Sequence, residues 1–246
     1  MPIKEMKAKT EMKRRWYPMQ PIVIASPHKR NDSLENQLRE RLTRREIVRI
    51  SDKTSLTLET LEQLKPEYIF FPHWSWIIPH EIHAQFVCII FHMTDLPYGR
   101  GGSPLQNLIV RGHTETMLTA LRCVKEIDAG PIYSKQKLSL QGSAEEILQR
   151  ASNLMVDMVV SIVANSQEPV AQQDPVVEFK RRQPKDGDIS AIESLEQIYD
   201  FIRMLDGDGY PPAFIDTPVL RLEFSEANLD SDFVEARVRI RRKQEP

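Results

Sequence analysis

The stretch FHMTDLPYGRGGSPLQNL, residues 91–108, decides the fold of this chain. It is entered through FVCIIF, residues 86–91, an apolar and β-rich run that is long enough for a buried strand and too short for an ordinary helix. His92 therefore stands at or just past the carboxyl end of a strand, the edge at which open α/β sheets bind ligands and carry chemistry on loops. The glycine-rich residues 96–104 predict a turn that leads into a helix, with Ser103 as N-cap and Pro104 as first helical residue. An anion or polar ligand could lie against such a helix start.

Outward from this stretch, short apolar runs alternate with helical segments, which is typical of a parallel sheet. The predicted strands are 21–27, 47–50, 68–71 and 132–140, and the predicted helices are 34–43, 56–64 and 104–111. Residues 114–124 fit a strand or a helix equally well. Ser143 and Glu146 form a capping box that predicts a long amphipathic helix to about residue 165.

The region after residue 166 begins as a connection rich in proline, glutamine and charge, followed by a predicted helix, 194–205, and two alternating strands, 219–224 and 233–240. We therefore predict an α/β fold with a Rossmann-like, mostly parallel sheet and a small C-terminal extension of a helix and a β-hairpin. The predicted division is an N-terminal tail at 1–20, a catalytic domain at 21–166 and the extension at 167–246.

The composition is that of an ordinary globular protein, with 41% hydrophobic and 28% charged residues in 246. The formal net charge is −2, so no global field attracts nucleic acid or membrane, and we expect neither as a partner. Cys88 and Cys123 suit a reducing compartment, and without a leader or an apolar run of 18 residues we expect a cytoplasmic protein. No G-x-G-x-x-G follows the first strand, so a dinucleotide cofactor is not expected. His73, His80 and His83 lack a carboxylate or cysteine partner, so no metal is expected either.

Two motifs resemble those of enzymes that use 10-formyltetrahydrofolate. His92-x-Thr94-x-Leu96-Pro97, followed by Gly99 to Pro104, is similar to the formyltransferase signature H-x-S-L-L-P-x-x-R-G-x-x-P, with Thr94 in the place of serine. Asp128-Ala129-Gly130-Pro131-Ile132 resembles the family's D-x-G-P-I loop and follows His92 by 36 residues, a separation that fits the family. Alone, His92 would be a satisfied histidine at a strand end, and Asp128 a turn former. Together and in this order, the motifs favour a catalytic pair.

The resemblance implies that 10-formyltetrahydrofolate is the co-substrate, that His92 hydrogen-bonds the oxygen of the transferred formyl group, and that Asp128 shuttles protons. The chemistry requires such groups. An amine that attacks a formyl carbon builds an oxyanion, and a donor aimed at that oxyanion is worth about 3 to 4 kcal/mol. The attacking amine must also lose a proton, which a carboxylate and imidazole pair can accept and relay.

One position departs from the family, which has an asparagine two residues before the histidine, where this chain has Ile90. Either another side chain supplies the second donor or the mechanism depends on His92 and Asp128 alone. The candidate donors are His73, Ser75, Thr94 and Asn107, and the sequence does not choose among them.

The resemblance also implies binding residues. The loop that follows the third strand, with Trp76, Ile77 and Ile78, would line the pterin pocket together with Ile127 and Asp128. The candidates for acceptor binding are Arg100, Gly101, Gly102, Ser103, Arg203 and Tyr210. Arg203 suits a bidentate contact with phosphate or carboxylate, although a solvated helix arginine is the alternative.

The acceptor expected from these motifs is a nucleotide-linked amino sugar. Residues 198–205 and 210–214 resemble patterns of sugar N-formyltransferases, and we predict UDP-4-amino-4,6-dideoxy-N-acetyl-L-altrosamine of the pseudaminic acid route as the substrate. The alternatives are a formyltransferase for methionyl-tRNA or a small amine such as ornithine, and a non-catalytic folate- or nucleotide-binding protein of the same fold. The net negative charge and the short C-terminal extension disfavour a tRNA acceptor. A homodimer is left open.

Overall fold

The computed structural model describes residues 19–173 and 175–243, and the predicted N-terminal tail lies almost wholly outside them. A six-stranded sheet with the order β2-β1-β3-β4-β6-β7 forms the centre. Its strands are β1 (Ile22–Ala25), β2 (Ile47–Ile50), β3 (Tyr68–Phe71), β4 (Cys88–His92), β6 (Glu115–Arg122) and β7 (Ile132–Ser139). The helices are α1 (Asp32–Arg41), α2 (Leu58–Leu64), α3 (His80–His83), α4 (Pro104–Val110), α5 (Ala144–Asn165) and α6 (Leu195–Leu205).

The first four strands of this sheet are parallel, and β6 then runs antiparallel to β4, with His92 opposite Thr119. The predicted mostly parallel α/β sheet is thus confirmed. The ambiguous residues 114–124 form β6, because pairing with β4 on one side and β7 on the other satisfies their backbone groups in the extended form.

Both faces of the sheet are covered, and successive residues of β1 alternate between two apolar clusters. Ile22 and Ile24 belong to the cluster that contains α1, α4 and α5, whereas Val23 and Ala25 belong to the cluster on the other face with α2 and α3. Burial on both faces explains why this strand reads as a continuous apolar run.

Helix α5 packs across the first of these faces and confirms the predicted amphipathic helix. The Ser143 hydroxyl accepts from the Glu146 amide and the Glu146 carboxylate accepts from the Ser143 amide, which is the predicted capping box. By length and composition alone this helix could cross a membrane, but 56% of its apolar 18-residue stretch is buried inside the protein. It is the central core helix of the fold.

The turn predicted at residues 96–104 contains a short strand, β5 (Tyr98–Gly101), which differs from the sequence prediction. Strand β5 pairs in parallel with β8 (Val177–Phe179), a strand within the connection that follows α5. The connection therefore returns to the His92 segment, and the predicted domain boundary at residue 166 remains a prediction.

A three-stranded sheet lies at the end of the described chain, where the sequence predicted a two-stranded hairpin. Strand β9 (Ala213–Asp216) pairs antiparallel with β10 (Leu220–Leu229), and β10 pairs antiparallel with β11 (Val234–Arg242). Helix α6 packs against this sheet. Its Ser194 hydroxyl accepts from the Gln197 amide and so caps the helix where the sequence placed its start.

Candidate active site

His92 ends strand β4 and is buried, with 7% of its surface exposed. Its Nε2 lies 2.7 Å from the Gly99 carbonyl oxygen, and its Nδ1 lies 3.5 Å from Oδ2 of Asp128. The structure thus brings together the two residues that the sequence placed in a catalytic pair, although 36 positions separate them.

The Gly99 carbonyl determines which nitrogen of His92 carries hydrogen. A carbonyl oxygen only accepts, so Nε2 must be the donor, and in a neutral imidazole Nδ1 then carries no hydrogen. An imidazolium would donate from Nε2 to Gly99 and from Nδ1 toward Asp128. The pair is therefore arranged to hold one additional proton between Nδ1 and the carboxylate.

Asp128 is held in a left-handed backbone conformation, with φ +52°. A non-glycine residue in that region is uncommon and is maintained by its surroundings. Its Oδ2 accepts a hydrogen bond of 2.9 Å from the Gly101 amide, so one carboxylate oxygen faces both this amide and His92. The side chain is 11% exposed.

Two glycines allow the loops at this site to approach each other. At Gly101, with φ +104°, an added Cβ would lie 2.5 Å from the Phe179 carbonyl oxygen. At Gly130, an added Cβ would lie 1.8 Å from the Arg122 carbonyl oxygen. A side chain at either position would displace backbone next to the catalytic pair.

The four candidate second donors occupy different places. The Thr94 hydroxyl is fully buried and lies 3.4 Å from the Gly99 oxygen, the same atom that His92 contacts. The Asn107 amide is used within the fold, because its Nδ2 lies within 3.0 Å of the carbonyl oxygens of Gly102, Ser103 and Lys180. Ser75 is exposed. Ile90, like Trp74 and Cys123, packs against the second apolar cluster. Thr94 is thus the candidate that shares an acceptor with His92.

His73 belongs to a separate polar network at the carboxyl end of β3. Its Nε2 lies 3.1 Å from the Ser152 hydroxyl, which also donates to the Asn31 side chain at 2.8 Å. Burial, with the positive charge of Arg30 as the second cause, lowers the pKa of His73 to about 3. His73 is consequently neutral near pH 7 and turned toward α5 instead of toward His92.

Apolar groups of the predicted pterin loop are exposed. Ile77 is 78% exposed, Trp76 is 38% exposed, and Ile127, beside Asp128, is 64% exposed. Ile78, by contrast, is buried in the core, and its role in cofactor binding stays a prediction. Within the described residues, the buried indole Nε1 of Trp74 in this loop has no hydrogen-bond partner.

Two predicted acceptor-binding residues are occupied within the fold. Arg203 donates from Nη1 to the carbonyl oxygens of Leu140 and Gly142 and from Nε to Asp200, so it joins α6 to the segment before α5 and is not a ligand group. Tyr210 is half-buried, and burial raises the pKa of its phenol. Their predicted role in substrate binding is corrected to packing of α4 and α6 against the core.

The remaining candidates lie around Asp128. Arg100 donates from Nε and Nη2 to the side-chain oxygen of Gln172, and the Gly102 amide donates to the Phe179 carbonyl. Ser103 is the N-cap of α4 as predicted, but its hydroxyl accepts from the Arg182 amide instead of a helix amide. Sequence reasoning missed Gln172, and no local pattern distinguishes it from the other glutamines of the connection.

Neither cysteine is a nucleophile of this site. Burial raises the pKa of Cys88 to about 12 and that of Cys123 to about 11, where the negative charge of Asp128 is the second cause. Both thiols are therefore protonated near neutral pH, and a covalent thioester route has no support.

Comparison with known families agrees with this geometry. The family model described as "Formyl transferase" matches residues 21–163, and the model described as "Methionyl-tRNA formyltransferase, C-terminal domain" matches residues 184–241. The chain belongs to the formyl transferase family, as the two sequence motifs led us to expect.

Among known proteins, the chain is similar to a methionyl-tRNA formyltransferase from Clostridium thermocellum, whose solved structure aligns with a TM-score of 0.89 at 44% identity over 92% of this chain and 100% of that one. It is also 29% identical, over 142 residues, to the methionyl-tRNA formyltransferase of Nitratiruptor sp.. That match covers 56% of this chain and 47% of the relative, so the chain spans about half the length of that curated relative.

The sugar enzymes are more distant. A sugar N-formyltransferase from Shewanella sp. aligns with a TM-score of 0.63 at 16% identity, over 81% of this chain and 94% of that one, which shows a common fold alone. The predicted partner, a nucleotide-linked amino sugar with nucleic acid excluded, is contradicted by the relatives, which are named for methionyl-tRNA. The exclusion was wrong because it used net charge, which carries no information on where the charges lie.

Proposed function

We propose that this chain transfers a formyl group from 10-formyltetrahydrofolate to the α-amine of methionyl-tRNA. The observation that carries the proposal is the buried pair of His92 and Asp128, joined at 3.5 Å beside the Gly101 amide. The relatives named above suggest the acceptor. The exposed apolar groups of the loop after β3, at the sheet edge where β4 ends in His92, offer a place for the pterin.

The two residues divide the chemistry between them. His92 donates a hydrogen bond from Nε2, which in this structure faces the Gly99 oxygen, and it would donate this bond to the formyl oxygen while negative charge is present there, keeping the hydrogen on Nε2 throughout. Asp128 receives the proton that the attacking nitrogen loses as its bond to the formyl carbon forms. The same proton is then delivered to the departing nitrogen of the folate as the old carbon–nitrogen bond breaks, so the pair ends in its starting state.

The residues around the pair fit a folate. Trp76, Ile77 and Ile127 offer exposed apolar surface of the kind that a flat ring covers. The unpartnered Trp74 Nε1 is a buried donor in the same loop, and buried donors of this kind are normally satisfied. When bound, the co-substrate supplies the activated one-carbon group.

A nucleic-acid acceptor is consistent with the charge distribution on the C-terminal hairpin. Leu220 pairs with Arg242 and Arg221 pairs with Arg241, so basic side chains, with Lys243 next to them, collect at one end of the β10 and β11 pair. The other end, around residues 230–235, is acidic. Basic side chains grouped in this way can neutralise phosphates even on a chain of net charge −2.

The test measures tetrahydrofolate release with 10-formyltetrahydrofolate and a panel of acceptors. We expect methionylated initiator tRNA to be formylated, and free methionine, ornithine and UDP-amino sugars to be formylated far more slowly. Formylation of an amino sugar with equal or greater kcat/KM would overturn the acceptor. Absence of transfer to every acceptor, with tetrahydrofolate still bound, would favour a non-catalytic binding protein, which the apolar Ile90 would explain.

A further inference from the structure

The connection that follows α5 crosses both loops of the catalytic pair. The Val170 amide and carbonyl exchange hydrogen bonds of 2.8 and 2.7 Å with Ile132, directly after the Asp128 loop, and β8 pairs with β5 beside Gly101. Residues 170–173 and 175–179, here called the strap, therefore join the segment after His92 to the loop of Asp128.

Gln172 is the side chain through which the strap reaches the site. Its oxygen accepts from Nε and Nη2 of Arg100, at 3.1 and 2.8 Å. Its nitrogen donates to the carbonyl oxygens of Asp128 and Gly130, at 2.7 and 2.8 Å. All the polar capacity of this amide is used, and only an amide combines an acceptor for a guanidinium with two donors for carbonyls.

These contacts act on a backbone that needs support. Asp128 has a positive φ, a conformation that persists only when its surroundings hold it, and Gln172 binds the carbonyl of Asp128 itself. The conformation of that residue aims its carboxylate at His92 and at the Gly101 amide.

We propose that Gln172 is a positioning residue, which holds the Asp128 loop against Arg100 and so keeps the carboxylate in register with His92. The expected effect of Gln172 on catalysis rests on the proposed function. Gln172 contacts no reacting atom and acts through Asp128.

The first test compares Gln172→Ala with Gln173→Ala, an exposed neighbouring glutamine of the strap. We expect Gln172→Ala to lower the kcat of formyl transfer by about 100-fold, the typical effect of a displacement of about 1 Å in a reacting group, and Gln173→Ala to leave it unchanged. Gln172→Glu keeps the acceptor for Arg100 and loses both donors to the loop. It should therefore resemble Gln172→Ala, whereas wild-type activity in this variant would contradict the proposal.

A double-mutant cycle separates positioning from general stability. If Gln172 acts through Asp128, the variant with Asp128→Asn and Gln172→Ala should be no slower than Asp128→Asn alone. If the rate reductions of the two single variants multiply in the double variant, the proposal is overturned. Thermal melting of each variant shows whether the fold is intact.

Amide hydrogen exchange provides a readout that does not require activity. The Gly101 amide is protected by the Asp128 carboxylate, so its exchange should accelerate in Gln172→Ala and not in Gln173→Ala. If the wild type transfers no formyl group, the proposed function fails while this measurement still decides the role of Gln172. Unchanged exchange at Gly101 in a folded Gln172→Ala protein would overturn it.

Discussion

Replacement of Asp128 by asparagine removes one charge while it preserves the shape and size of the side chain. The amide oxygen can still accept from the Gly101 amide, as Oδ2 does now at 2.9 Å. The amide cannot take up a proton, so the contact with Nδ1 of His92 no longer holds a proton in the pair. We therefore expect a folded protein in which proton relay has failed.

The size of the effect follows from the burial of the pair. General acid–base catalysis contributes about 10²- to 10⁴-fold, or about 2.7 to 5.5 kcal/mol at 25 °C. The Asp128 side chain is only 11% exposed, so water is a poor substitute for it. Among the described residues no other carboxylate forms an ion pair with His92. We expect Asp128→Asn to reduce the single-turnover rate by about 10³-fold, within this range.

The assay is single-turnover formylation of methionylated initiator tRNA with saturating 10-formyltetrahydrofolate, so that product release does not mask the chemical step. The matched control is Asp95→Asn, a carboxylate three residues after His92 that is exposed and pairs with Lys135. Its rate should stay within about twofold of wild type, as for most exposed ion pairs. A folded Asp128→Asn protein that loses less than about tenfold would show that Asp128 is not the proton relay.

Three further predictions concern the hairpin, the buried histidine and the glycine turn. Arg239→Glu combined with Arg242→Glu should raise the KM for methionyl-tRNA. The decrease of log kcat/KM with log salt concentration should become less steep, by about 2 in slope. Glu235→Gln, at the acidic end, should change neither quantity. Burial lowers the pKa of His73 from 6.5 to about 3, so between these pH values the unfolded chain binds a proton that the folded chain does not. As the pH falls below 6.5, the unfolding free energy of the wild type should therefore decrease by about 1.4 kcal/mol per pH unit because of this group. Urea unfolding of His73→Asn should lack this pH dependence. Equal slopes in the two proteins would contradict this assignment. Gly101→Ala should destabilise the fold by more than about 2 kcal/mol and abolish transfer, because the added Cβ would lie 2.5 Å from the Phe179 oxygen. The control is Gly112→Ala, where φ is also positive but an added Cβ would meet no atom within 4 Å. It should lower the free energy of thermal unfolding by only about 1 kcal/mol.

Much of the fold could be predicted because local patterns and tertiary structure agree. The four residues of β2 and the capping box of α5 were readable from apolar runs and side-chain chemistry alone. The structure of residues 114–124 could not be predicted in this way, since their apolar spacing suits both the period of a helix and the period of a strand. Pairing with β4 decides them, and pairing is a property of two segments that are distant in the chain.

The proximity of His92 and Asp128 was predictable from the sequence, because the two residues lie in motifs of fixed order. Gln172 was not, since its partners lie 44 and 72 residues away and a glutamine in a polar connection carries no periodic signal. Arg203 was misassigned because an arginine on a helix looks the same in sequence whether it binds a ligand or, as here, two backbone carbonyls.

The partner depends on where the charges lie, which a sum over the chain does not show. Strand β10 has ten residues and extends about 33 Å, whereas charges are screened beyond about 8 Å at physiological salt. Asp230 and Asp232 at one end of the hairpin therefore do not cancel the basic residues at the other, although all of them enter the net charge of −2. At that basic end, Arg221 and Lys243 pair with Asp216 and Arg241 pairs with Glu223, so these two carboxylates offset only part of the positive charge. The antiparallel register, with Arg221 opposite Arg241, places basic residues from two strands at the same end. Under the proposed function, a phosphate backbone would meet that end of the hairpin first, and the strand pairing, not the composition, places the basic residues there.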